Sequence, residues 1–291
     1  FFIEPDKEAT HDAILIDAIK ENGRTFLETV LDEVPPPSAT ADEYFERQQR
    51  LYENYGELTN IVGDWQKVPA YYGLQPPLQP YGIAAYGYGH ANFAKDIDGT
   101  FRRQALVAKS AVLLETLRLD DFTPETPLDH DGFQRFEWVD KKGIHHTIDY
   151  PHTREVIEKL SARMTTDAPL KTEDTDGDGT PDDEYFVIRK YQDHFVPSIT
   201  LSLALDYFNK GLEDIEVVLG EYIFIPHPEY FDVETREWVP YEITRKSAVY
   251  ASEQDALEND AVQPGDILEE AVTEVIRDIK IPIDERGSML I

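Results

Sequence analysis

The chain has 291 residues, 41% of them apolar with 16 Tyr and 14 Phe, so it can bury a sizeable core and lacks the composition of a disordered segment. Its 58 acidic against 27 basic side chains give a formal charge of −31, a field that repels phosphate backbones and acidic lipid and excludes nucleic acid as a partner. Cysteine is absent, which removes disulfides and thiolate chemistry, and no run reaches the ~18–20 apolar residues of a membrane span. Solubility in a saline medium is the simplest account of so much charge.

Phe1–Ile3 reads as the tail of a strand, and Ser288-Met289-Leu290-Ile291 as an apolar strand-like end. Both ends read as cuts within something longer. His11–Asn22 reads as a helix, capped by Thr10 and stopped by Gly23, and Thr25–Val30 as a strand completing a parallel, right-handed β-α-β unit. Pro35-Pro36-Pro37 breaks the chain. Ala41–Tyr55 follows as a second helix, with Tyr44, Phe45, Leu51, Tyr52 and Tyr55 on its apolar side. Gly63–Gly82, rich in Pro, Gly and Tyr, reads as an irregular loop.

Asn92–Arg103, NFAKDIDGTFRR, is an Asp-x-Asp-Gly turn followed by paired arginines. Glycine accepts the positive φ of a tight turn, so the segment predicts a hairpin. Arg102 and Arg103 alternate across the outgoing strand, so one of them is expected to face the fold and to need a carboxylate such as Asp96 or Asp98. A surface hairpin with solvated arginines is the competing reading.

Phe101–Leu119 then looks extended, and Phe133–Val139 with Ile144–Ile148 predicts a hairpin around Lys141-Lys142-Gly143. Thr153–Met164 predicts a helix, Tyr185–Tyr191 a strand, and Pro197–Phe208 a helix with proline in its first turn. Ile215–Ile225 reads as a strand pair or one long strand. A charged segment, Ser252–Asp266, precedes closing strands Asp278–Ile283 and Met289–Ile291. No internal repeat is visible.

The sharpest chemical motif is Asp174-Thr-Asp176-Gly-Asp178-Gly179-Thr180-Pro-Asp182-Asp183-Glu184. Asp174, Asp176, Asp178 and Asp182 occupy positions one, three, five and nine of a calcium loop, glycine stands at six, and the Thr180 carbonyl would fill seven. Position twelve, normally a bidentate carboxylate, is Tyr185, and no helix pair brackets the loop. The pattern suits an isolated structural calcium loop, because so many adjacent carboxylates repel one another without a cation. An acidic solvated loop is the alternative.

Catalytic patterns are weak. His145 and His146 face opposite sides of a strand, and there is no His-Glu-x-x-His or Gly-x-Ser-x-Gly. Gly87-Tyr-Gly89 is followed by Asn92 where a dinucleotide fingerprint needs glycine. His11-Asp12 and Asp193-His194 read as caps or surface contacts.

Three segments together resemble a family. Gly89-His-Ala-Asn92 with Asp96-x-Asp98-Gly99-x-x-Arg102-Arg103 is similar to the centre of the second type of CHASE domain, an extracellular sensory module of cyclases and histidine kinases. Val196–Ala204 looks like that family's Pro-Ser-Leu-Ala-Leu helix, and Ile281–Ile291 like its closing segment. Phe1–Glu33 looks like its early strand-helix-strand. The family's opening strand and Trp-Pro-x-x-Arg region are missing, and residues 111–183, with the calcium-type loop, look like an insertion.

The resemblance implies a single α/β domain over residues 1–291 with a mixed, largely parallel central sheet, flanking helices and an inserted irregular region. It implies an extracytoplasmic, membrane-anchored sensor that binds a small-molecule or protein signal and does no chemistry itself. Output would lie in transmembrane and cytoplasmic domains of the same polypeptide, an adenylate or guanylate cyclase, a diguanylate cyclase or a kinase, and the arrangement allows a homodimer. Candidate ligand-binding residues are Asn92, Asp96, Asp98, Arg102 and Arg103, the arginines suiting an anionic ligand or, as the preferred reading, an ion pair with the aspartates. The runner-up is a secreted, calcium-stabilised binding or hydrolytic domain.

Overall fold

The first helix ends where its glycine stands. Gly23 takes φ 69° and donates its N–H to the Ile19 carbonyl at 3.1 Å, a left-handed cap that a side chain would strain. The computed structural model describes residues 6–35, 42–54, 56–93, 98–175, 179–252, 254, 263 and 266–290. Its elements begin with α1 (Ala9–Asn22), β1 (Phe26–Asp32), α2 (Asp42–Asn54), β2 (Ile61–Val62), β3 (Ala70–Tyr71), β4 (Gly73–Gln75), α3 (Gln79–Ala84) and β5 (Gly87–His90). Next come β6 (Arg103–Ala105), β7 (Val107–Arg118), β8 (Gln134–Val139), β9 (His145–Thr147), α4 (Arg154–Asp167), β10 (Lys171–Glu173), β11 (Asp183–Tyr185), β12 (Val187–Pro197) and α5 (Ile199–Tyr207). The chain closes through β13 (Glu216–Val218), β14 (Tyr222–Pro226), β15 (Glu229–Asp232), β16 (Glu237–Pro240), β17 (Glu242–Tyr250), β18 (Ile267–Val275), β19 (Asp278–Pro282) and β20 (Ser288–Leu290).

These elements form two units: residues 1–58, 68–92 and 107–198, and residues 59–67, 93–106 and 199–291. The first holds a three-stranded sheet, β4-β1-β5, and a five-stranded sheet, β3-β7-β12-β8-β9. The second holds β19-β14-β13-β2 and the two-stranded pairs β15-β16, β17-β18 and β20-β6.

The architecture is mixed α/β, but the expected largely parallel sheet is corrected. Among the described strand pairings only β1–β5, β2–β13 and β3–β7 are parallel. Parallel partners need a long crossover, whereas β8–β9, β13–β14 and β15–β16 are antiparallel hairpins closed by short turns, and the long strands β7 and β12 also run antiparallel. Gly143 (φ 82°) turns β8 into β9 as the sequence predicts, and Gly220 (φ 84°) turns β13 into β14. The parallel partner of β1 is β5, two helices further on. The strand expected at Phe1–Ile3 lies outside the described residues.

Several boundaries move. Pro197 ends β12, and α5 begins only at Ile199. The expected loop over Gly63–Gly82 carries β3, β4 and the start of α3, with a short 3-10 turn at Trp65–Lys67. The β15-β16 and β17-β18 hairpins have no counterpart in the sequence reading. The charged segment 252–266 lies mostly outside the described residues.

Among the described residues, two apolar clusters lie in the first unit. One joins Ile19, Leu27, Leu31, Leu51, Leu74, Tyr81 and Tyr88 to Ala108 and Val196. The other joins Phe122, Phe136, Trp138, Leu160, Met164 and Ile188. The stretch 111–183 supplies β8, β9, α4 and most of that second cluster. Thr153 caps α4, its side chain accepting the Val156 N–H.

Candidate functional site

Period-two alternation along β7 and β12 creates two different environments. Lys109 and Asp193 point to one face of the five-stranded sheet, where Tyr191 and the β8 residues Arg135 and Glu137 join them. Ser110, Val112 and His194 point to the other face, Ser110 directly opposite His194.

The first face is a buried charge network. Lys109, Arg135, Glu137 and Asp193 are at most 3% exposed. Asp193 accepts Arg135 Nε at 2.7 Å and Nη2 at 3.0 Å, and Lys109 Nζ lies 3.1 Å from its Oδ2. Arg135 also pairs with Glu137, which accepts the Tyr72 hydroxyl at 2.9 and 3.0 Å and lies 2.9 Å from His145 Nδ1. The two cations and two anions cancel, which is what permits their burial. Burial opposes the charge on Arg135, but attraction to Asp193 outweighs it and raises its pKa. Burial pushes the Tyr72 phenol up to about 12, and burial, then Arg189 and Arg135, holds the His145 imidazole below its ordinary value. The group is a buried set of paired charges that acts as scaffold.

The second face opens into a cleft of about 380 Å³. On α2, Phe45, Gln48, Gln49 and Tyr52 follow the i, i+3, i+4, i+7 spacing of one helical ridge, and they line it together with Glu57, Val112 and His194. The His194 and Tyr52 rings stack at 3.9 Å and 9°. His194 Nδ1 sits 2.9 Å from Glu57 Oε1, so the carboxylate orients the imidazole, and the Tyr52 hydroxyl donates to Ser110 Oγ at 2.7 Å. Burial drives the Tyr52 phenol far above its ordinary pKa, so it serves as a neutral hydrogen-bonding group. Phe45 is 48% exposed while its neighbour Tyr44 is 5%, so an aromatic face remains open to solvent at the rim.

The predicted site residues lie apart from this cleft. Asn92 is a strut, its Oδ1 accepting the Leu31 N–H at 3.2 Å and its Nδ2 donating to the Leu31 carbonyl at 2.7 Å. Asp98 and Arg102 form the expected pair, with hydrogen bonds of 2.7 and 3.0 Å, but on the surface, their side chains 54% and 49% exposed. Arg103 is 54% exposed and pairs with Asp284 at 3.1 Å. The expectation that one arginine faces the interior is therefore corrected. Gly99 does take φ 79°, but β5 pairs with β1 and β6 with β20, so the turn does not close a hairpin. Asp96 lies outside the described residues.

Asp176 and Asp178 of the calcium-type loop also lie outside the described residues. Around them Asp174 Oδ2 accepts the Gly179 N–H at 2.8 Å, and Asp182 Oδ2 accepts the Thr175 N–H at 2.8 Å. Thr180 is exposed. Among the described residues no three His, Asp or Glu side chains converge as a metal set.

Asp193-His194 is not a surface contact: Asp193 is fully buried, and His194 belongs to the cleft. Asp193 standing between Tyr191 and Phe195 on one stripe of the strand was the available signal for the network, and an aromatic one step off the buried stripe of α2 was the signal for the cleft. No family model matches the chain, and no curated protein and no solved structure matches it either. The likeness to the second CHASE type rests on its own three segments.

Proposed function

We propose that this chain is the extracytoplasmic signal-input domain of a membrane-bound signalling protein, and that the cleft beside α2 receives a small-molecule signal. The observation that carries the reading is the pre-set Glu57–His194–Tyr52 group inside a cleft of about 380 Å³, a volume in the range of small-molecule sites. Tyr52 sits on α2 and His194 on β12, and Glu57 lies on the segment after α2 that is tied to β12 by the Leu58 N–H donating to the Phe195 carbonyl at 2.8 Å, so the group is fixed before a ligand arrives. A ligand held there would bias one state of the domain over another without any bond-making. The CHASE-like segments supply the signalling context, with transmembrane segments and a cyclase, diguanylate cyclase or kinase as output in the same polypeptide.

The flanking gene sequence tests the context: transmembrane segments and an output domain after residue 291 are expected, and a stop codon soon after it overturns the sensor reading. A second reading, a secreted calcium-stabilised binding domain, draws on Asp174 and Asp182, which tie the two ends of the acidic loop to its own backbone. Calcium has a structural role in both readings.

A further inference from the structure

We infer that the α2 cleft selects a small organic ammonium ion, an inference that rests on the cleft being the signal site. Among the described residues that line it, Glu57 is the acidic side chain, and no lysine or arginine is among them. Glu57 is 26% exposed, and His194 Nδ1, 2.9 Å from Oε1, orients the carboxylate. Phe45, 48% exposed at the rim, adds an aromatic ring whose negative face attracts ammonium groups. Val112 gives an apolar wall for the carbon skeleton, and the Gln48 amide adds a polar group within a mostly buried side chain. An anion would meet the Glu57 carboxylate in the same small space. The formal charge of −31 acts in the same direction, raising the local concentration of cations and lowering that of anions.

Calorimetric titration of the whole chain separates charge from shape with three probes: choline, its uncharged carbon isostere neohexanol, and the anion trimethylacetate. Choline is expected to bind about tenfold more tightly than neohexanol, and trimethylacetate not at all. Glu57→Gln is expected to remove that tenfold preference, and its circular dichroism spectrum and cooperative thermal melt report that the variant is folded. Phe45→Ala, at an exposed side chain, is expected to weaken choline about fivefold and provides the test if Glu57→Gln does not fold. Equal affinity for choline and neohexanol, unchanged choline affinity in Glu57→Gln, or preference for trimethylacetate overturns the ammonium assignment and leaves the cleft as a binding site. Failure of all three probes to bind overturns both.

Discussion

Asp193 and His194 are adjacent in the chain and work on opposite faces of one sheet. Asp193 holds Arg135 through hydrogen bonds of 2.7 and 3.0 Å within a sealed charge network, while His194 is stacked on Tyr52 and bonded to Glu57 in an open cleft. The strand thus carries a rigid anchor and a solvent-facing group one residue apart. Movement of His194 relative to its neighbours is limited by the anchoring of the residue before it.

Removing that anchor should be costly. Asp193→Asn preserves shape but leaves Lys109 and Arg135, both at most 3% exposed, short of one negative charge. Urea unfolding should show a loss of about 3–5 kcal/mol. A loss below about 1 kcal/mol would mean that the network relaxes or admits water, and that it does not pin β12.

His90 should make the protein acid-sensitive. It is fully buried, and burial lowers its pKa to about 4 from an ordinary 6.5. Above pH 6.5 the imidazole is neutral in both folded and unfolded chains and has no effect. As pH falls, the unfolded chain takes up the proton first, so stability falls until the folded pKa is reached, by about 3 kcal/mol in full. His90→Gln should flatten this part of the curve of melting temperature between pH 7 and pH 4; parallel curves for the two proteins would refute the assignment.

The two halves of the Asn92–Arg103 segment should respond differently to truncation. Asn92→Ala removes both side-chain bonds to the Leu31 backbone and should cost about 2 kcal/mol by denaturant unfolding. Arg102→Ala removes a half-exposed ion pair with Asp98 and should leave the melting temperature nearly unchanged. A large effect of Arg102→Ala would restore it as a residue with a structural or binding role.

The acidic loop should respond to calcium. A rise in melting temperature at millimolar calcium is expected, and Asp176→Ala and Asp178→Ala should abolish it. The wild-type protein melting identically with calcium and with chelator would leave the loop as a solvated acidic turn.

Local features of the sequence proved sufficient where local physics decides. Gly23 ends α1, Gly143 closes the β8-β9 hairpin, and Thr153 opens α4, because a positive φ or a capping oxygen depends on one residue and its nearest neighbours. The mixed α/β character and the acidic charge were equally legible; an arginine–aspartate pairing after Asn92 was too, but not that it joins Asp98 to Arg102 at the surface. Strand partners were not, because Phe26–Asp32 carries no mark that it will pair with Gly87–His90 across two helices. Nor does any spacing reveal that Lys109, Arg135 and Asp193 neutralise one another, or that Phe45, Glu57 and His194 enclose one cleft. Those groupings arise from register between segments far apart in the chain, which only tertiary packing sets.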